Sequence, residues 1–206
     1  MKILIKLSFV LALVLVTIQP YTTAQASSMS KFKGESAVAF FVSVDGCIQT
    51  NVDLYTAEGM VKEAPGAPIP ASSINIYISQ YDTCSGTQIL FVDAIADQPE
   101  PALQIDPKLG EASLNTTLTV TDTLSGYTFD IAIDMTWTGI GPLRRDRYNF
   151  HLDGQDCRIH DHTNFVERAI TATGSVWSET QNFTPDPSVG GWLISTNSHF
   201  LYYSCN

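Results

Sequence analysis

Residues 128–137 alternate so strictly that they leave little freedom in the choice of fold. Phe129, Ile131, Ile133, Met135 and Trp137 are interleaved with Thr128, Asp130, Ala132, Asp134 and Thr136. A period of two suits a half-buried strand and excludes an amphipathic helix. Ile74, Ile76 and Ile78 alternate in the same way, and Leu114, Thr116, Leu118 and Val120 form a further β-branched run. Only residues 56–63, around Ala57-Glu58-Gly59-Met60, admit a helical turn, limited by Gly59 and Pro65. Turn-forming clusters at 64–70, 97–101, 139–142 and 185–187 break the remainder into strands. These fall near 36–44, 48–57, 72–81, 87–95, 111–121, 127–138, 145–152 and 165–177. The expected fold is all-β: one antiparallel β-sandwich domain of roughly eight to ten strands over residues 27–206.

Residues 1–26 read as a secretory signal. Lys2 and Lys6 supply its positive start, 7–18 an apolar stretch, and Ala24-Gln25-Ala26 a small-x-small cleavage site. The apolar stretch is short for a membrane span and no basic flank follows it. The expected compartment is therefore extracellular or periplasmic, with a mature protein that does not span the membrane. There the even cysteine count, Cys47, Cys84, Cys157 and Cys205, favours disulfides over metal or catalysis. Without Lys2 and Lys6 the chain keeps 9 basic against 21 acidic residues, a net charge of −12. Nucleic acid is a poor partner for such a molecule, and so is an anionic membrane surface.

Turn parity proposes how the cysteines pair. Alternate turns of a meander lie at the same end of the sheet. Turns 45–47 and 82–86 then share one end, which favours Cys47–Cys84 and, by elimination, Cys157–Cys205. The same count puts 122–126 and the loop 153–163 at that end, and 96–110, 139–144 and 178–190 at the other. Residues 191–205 must then be one strand for Cys205 to reach Cys157; a hairpin at Thr196-Asn197-Ser198 would carry it away. Asp82-Thr83-Cys84-Ser85-Gly86 and Asp122-Thr123-Leu124-Ser125-Gly126 share four of five residues, and Asp45-Gly46-Cys47 is a fainter echo. The Asp side chain and the final Gly are the residues a tight hairpin loop requires, so reuse of turn chemistry is favoured over a duplicated unit.

Chemistry is sparsely signalled. His151, His160 and His162 lie within twelve residues. In extended chain His160 and His162 project to one side, so they could share a zinc or copper ion with His151 or Asp156 as a third ligand. Asp153 and Asp161 stand in the same loop, and an ordinary solvated loop is the plainer account. Asp130 and Asp134 would lie about 13 Å apart along a strand, beyond the ~5–9.5 Å of paired glycosidase carboxylates. Asp153-Gly154-Gln155-Asp156 lacks the dense ligand pattern of a calcium loop. No Gly-x-Ser-x-Gly, phosphate-cradling or dinucleotide motif occurs. Residues 141–148 gather Arg144, Arg145 and Arg147 beside Tyr148, a patch that could meet an anion. Trp177 and Trp192 could stack on sugars, although burial suits their strand contexts better.

The expectation is a secreted, non-enzymatic binding or structural module whose unknown extracellular ligand meets loops at one end of the sheet, with no cofactor. A metal-binding protein or metal-dependent secreted enzyme centred on His160 and His162 is the second reading. A small outer-membrane β-barrel is the third, although the outward apolar bands and aromatic girdles it needs are missing.

Overall fold

The structure, a computed structural model, describes residues 28–97, 102–153 and 158–203. Among them are nine strands and no helix: β1 (Ser28–Asp45), β2 (Ile48–Glu63), β3 (Ile69–Asp82), β4 (Thr87–Asp97), β5 (Leu103–Ile105), β6 (Glu111–Thr121), β7 (Thr128–Asp153), β8 (Arg158–Trp177) and β9 (Gly190–Tyr203). The helical turn expected at 56–63 is strand, because every residue from 48 to 61 pairs with β3. Where two packed sheets were expected there is one sheet, ordered β4-β3-β2-β1-β9-β8-β7-β6-β5. The reason is β9, which pairs antiparallel with β1 on one side and β8 on the other and joins the two would-be layers.

Although open in strand order, the sheet curls until its flanks touch. Val92 of β4 bridges Asp122 just beyond β6, and the Glu58 carboxylate of β2 accepts the Leu103 N–H of β5 at 2.5 Å. The single core lies on the concave face. Trp137, Leu54, Ile74, Ile76, Ile131 and Met135 are among its fully buried members, all at most 1% exposed. The β5–β6 turn closes it from below: Asp106 accepts the Lys108 and Gly110 N–H groups. That turn holds Leu109 at φ 54° and drives its side chain into the core.

The alternation read at 128–137 continues much further than expected. Segments 127–138 and 145–152 are one strand, β7, interrupted by a bulge in which residues 141–143 face Arg168 alone. Gly141 takes φ 72° there, and the Arg168 Nε donates to its carbonyl at 3.1 Å. The Gly139-Ile140-Gly141-Pro142 cluster is thus a bulge, not a turn. Every parity assignment downstream inverts. Loop 178–189 belongs to the end that carries the 45–47 and 82–86 turns, and the paired Asp153 and Arg158, where β7 ends and β8 begins, are at the opposite end. His160 and His162 stand on β8 rather than in a loop. Residues 190–203 form one strand, without a hairpin at Thr196-Asn197-Ser198.

Cys47 and Cys84 are joined by a disulfide with Cα atoms 5.5 Å apart. Cys157 and Cys205 lie outside the described residues. The two related hairpins are built alike. Asp82 accepts the Cys84 and Ser85 N–H groups, and Asp122 accepts those of Leu124 and Ser125. Gly86 and Gly126 close the loops at φ 74° and 73°. In each the threonine donates both N–H and hydroxyl to one carbonyl of a neighbouring element: Thr83 to Cys47, Thr123 to Phe91. The shared sequence therefore encodes a docking turn.

Asp122 has the heavier task of the two. It is 5% exposed, and its carboxylate also accepts the Phe91 N–H at 3.1 Å and the Ser125 hydroxyl at 2.5 Å. Burial pushes this carboxyl up, but the Ser125 hydroxyl and the Phe91, Leu124 and Ser125 N–H groups outweigh it and hold it below the usual range. A depressed carboxyl stabilises the fold above its unfolded pKa, and the contribution is lost as pH falls through the folded value. Asp122→Ala is expected to cost about 2–4 kcal/mol in urea unfolding at neutral pH. The gap between wild type and Asp122→Asn should shrink as the titration passes below about pH 4. A pH-independent gap would contradict the seam role.

Candidate functional site

Past the core, five neighbouring strands, β2-β1-β9-β8-β7, run on toward the end opposite the disulfide. Their hydrophobic phase changes there. In the curled part the concave face is apolar: odd positions on β7, β9 and β1, even positions on β8 and β2. Beyond the Leu109 plug the same face is polar. It carries Glu35, Lys33 and Lys31 on β1, and Glu58 and Lys62 on β2. It continues with Asn197 and His199 on β9, Asn164, His162 and His160 on β8, and Arg145, Arg147, Asn149 and His151 on β7. The apolar side chains move to the other face, where Phe32, Val61, Tyr148, Phe165, Ile194 and Phe200 are found. Tyr148 and Phe150 stack there at 6.3 Å. The Phe32 ring lies over the Gly34–Gly59 pair, where a Cβ on Gly34 would come 2.7 Å from both the ring and the Gly59 Cα.

All four histidines of the chain meet on the polar face. His151 is paired in register with His160; their Nδ1 atoms are 2.8 Å apart and their rings edge to face at 3.9 Å. His162 faces Asn149 on one side and His199 on the other, and its Nδ1 hydrogen bonds to the Asn149 side-chain oxygen. His199 in turn faces Lys31. Burial, then the Lys31 charge, then His162 hold the His199 imidazole below its ordinary pKa. Arg147 Nε donates to the Asn164 side-chain oxygen at 2.9 Å.

Of the residues singled out in the sequence, His151, His160 and His162 are brought together. Asp156 lies outside the described residues. Asp161 is turned away: it sits on the opposite face, buried, accepting the Thr163 hydroxyl at 2.7 Å, and desolvation pushes its carboxyl up. Among the described residues the one group of three with metal-ligand spacing is Cys47, Asp82 and Cys84, and both sulfurs there are consumed by the disulfide. Trp177 is 47% exposed, while Trp192 is half-buried in an edge-to-face contact with Phe40 at 5.7 Å. Asp130 and Asp134 are exposed on the convex face, where Asp130 accepts the Thr119 hydroxyl. The sequence reading missed His199, Lys31, Lys33 and Lys62. Lys31-x-Lys33 had the strand period, but no apolar alternation marked 28–35 as strand.

The fold and this face define a class: an open, curled antiparallel sheet with a dry core and a basic, histidine-bearing extension. No family model matches the chain, and no curated protein matches it. A solved structure from Nitrosomonas europaea, proposed to be an AttH, is similar with a TM-score of 0.24 and 10% identity, over 87% of this chain and 52% of that one. The chain thus spans about half the length of that neighbour, and the likeness carries no argument about fold or activity.

Glu58 marks the border between core and polar face. It stands opposite Glu35. Burial and, behind it, the Glu35 charge hold its carboxyl above the usual range against the pull of the Leu103 N–H. A raised carboxyl disfavours the folded state once ionised, so this cost disappears as pH falls below its folded pKa. Glu58→Gln keeps the acceptor for Leu103 and removes the repulsion. It is expected to raise the melting temperature at pH 7 by a few degrees and to leave it unchanged near pH 4. Equal effects at both pH values would refute the account.

Proposed function

We propose that this chain is an exported, non-enzymatic binding protein, extracellular or periplasmic, whose ligand contact is the polar face of the five-strand extension rather than the loops at the disulfide end. The observation that carries the reading is the gathering of all four histidines with Lys31, Lys33, Lys62, Arg145 and Arg147 on one face of an otherwise acidic molecule. Export is supported by the leader-like residues 1–26 and by the Cys47–Cys84 bond. Against an outer-membrane barrel stand the exposed Thr117, Thr119, Asp130, Asp134 and Thr136 on the convex face of β6 and β7, groups that lipid would not solvate.

The second disulfide, Cys157–Cys205, belongs to this reading. The last described pair of β8 and β9 is Arg158 opposite Tyr203, and in sequence Cys157 and Cys205 are one and two residues from that pair. A bridge there would staple the extension as Cys47–Cys84 staples the other end. In a non-reducing peptide map of the exported protein, both bridges are expected. Free thiols or a mixed Cys47–Cys157 or Cys47–Cys205 link would refute the reading, as would recovery of the uncleaved chain in the cytoplasm.

A second reading, transition-metal binding, is favoured by one geometry: the His151 and His160 Nδ1 atoms, 2.8 Å apart, face each other closely enough to share a zinc or copper ion at bonds of about 2.0–2.1 Å. Elemental analysis separates the two readings. The binding-module reading expects no stoichiometric metal. One equivalent of zinc or copper, lost in His151→Gln and in His160→Gln, would replace it with the metal reading.

A further inference from the structure

We infer that the polar face of the extension is a binding surface for an acidic, sulfated or carboxylated polysaccharide. The inference deepens the binding-module reading, on which the choice of an extracellular polymer rests; the attraction to anions rests on geometry alone. Five of the nine basic residues outside the leader lie on this face, two of them on β1, one on β2 and two on β7. The strands between β2 and β7 make the face about 19 Å wide, and residues 147 to 151 span about 13 Å along it. Cations on β1 and β7 stand three strand spacings, about 14 Å, apart, so the charge is spread over the face rather than gathered at one point. They suit an extended polymer that repeats its charge.

The face also selects among polymers. Asn149, Asn164 and Asn197 stand between the cations, and their amides both donate to and accept from sugar hydroxyls. Single-stranded nucleic acid is bound on successive aromatic platforms, whereas among the described residues Tyr203, at the outer end of β9, is the one aromatic whose register falls on this face. Phe32, Tyr148, Phe150, Phe165 and Phe200 are on its back.

The histidines add donors between the cations. His199 faces Lys31 across β1 and His162 across β8, and His162 faces Asn149 on β7. His151 and His160 adjoin them, with Arg145 and Arg147 on β7. On the core side of the patch, Lys33 and Glu35 on β1 and Glu58 on β2 complete its charges, with Lys62 on β2 beside Lys31. An imidazole N–H donates to sulfate, carboxylate and hydroxyl oxygens alike.

The test uses the full chain, exported and purified from the compartment where it is found, with heparin as the probe. Retention on heparin-agarose in low salt is expected, lost as salt rises. Lys33→Gln/Arg147→Gln should lose retention, and Lys31→Gln/Lys62→Gln, on the other flank, serves as a second variant should the first not fold. Arg144→Gln, on the opposite face of β7, should leave it unchanged. Absence of retention, or equal loss in Arg144→Gln, would overturn the surface. A duplex oligonucleotide bound as tightly as heparin would overturn the choice of a polysaccharide. Failure of export with heparin binding intact would remove the compartment and leave the anion surface standing.

Discussion

A curled sheet with free ends stays curled only if something holds its flanks together, and here two carboxylates do so by accepting backbone N–H groups across the seam. Asp122 takes the Phe91 N–H of β4 from the β6–β7 turn, and Glu58 takes the Leu103 N–H of β5 from β2. The carboxylates close the sheet at two points, and at the first the Thr123 N–H and hydroxyl add bonds to the Phe91 carbonyl. The core, from Trp137 to Ile76, needs this closure because it has only one sheet to bury it.

The same constraint explains why function is found where it is. Below Leu109 the sheet has no second flank to meet, so the concave side of the five long strands cannot become dry. Its residues are accordingly for the most part those that tolerate water, lysine, arginine, glutamate, asparagine and histidine, with Met60 opposite Lys33 and Val166 opposite Arg145 as apolar exceptions. The change of phase from apolar to polar occurs on all five strands at about the same height, which keeps neighbouring side chains compatible across the ladder. Charge is segregated as a result. An acidic molecule presents one basic surface, and that surface is remote from the disulfide.

Much of the fold is legible in the sequence because period-two alternation is local. The 128–137 run, the isoleucines of β3 and the Asp-Thr-x-Ser-Gly turns all carry their structure in a few adjacent residues, and the Cys47–Cys84 pairing follows from them. What is illegible depends on distant pairing. A change of hydrophobic phase within a strand looks like the end of one strand and the start of another, so the pattern divides β7 in two and begins β8 only at residue 165. Gly141 and Pro142 reinforce that division, because a bulge and a turn draw on the same residues. The site suffers most. His199 is far from His162 in sequence, and only the pairing of β9 with β8 makes them neighbours. One miscounted turn then sends the histidines to the wrong end.

The bulge in β7 has a further property. Three residues, 141–143, stand against the single Arg168, so β7 gains two positions on its partner. Two is even, and side chains alternate in twos, so residues beyond the bulge keep their face: His151 still looks the same way as Trp137. The insertion is therefore a silent one for orientation. A bulge one residue longer or shorter would turn the distal arm of β7 over, sending Arg145, Arg147 and His151 to the aromatic side and Tyr148 and Phe150 to the wet one. Length variation at this point is admissible only in pairs, a selection rule imposed on the gene by the pleat of the sheet.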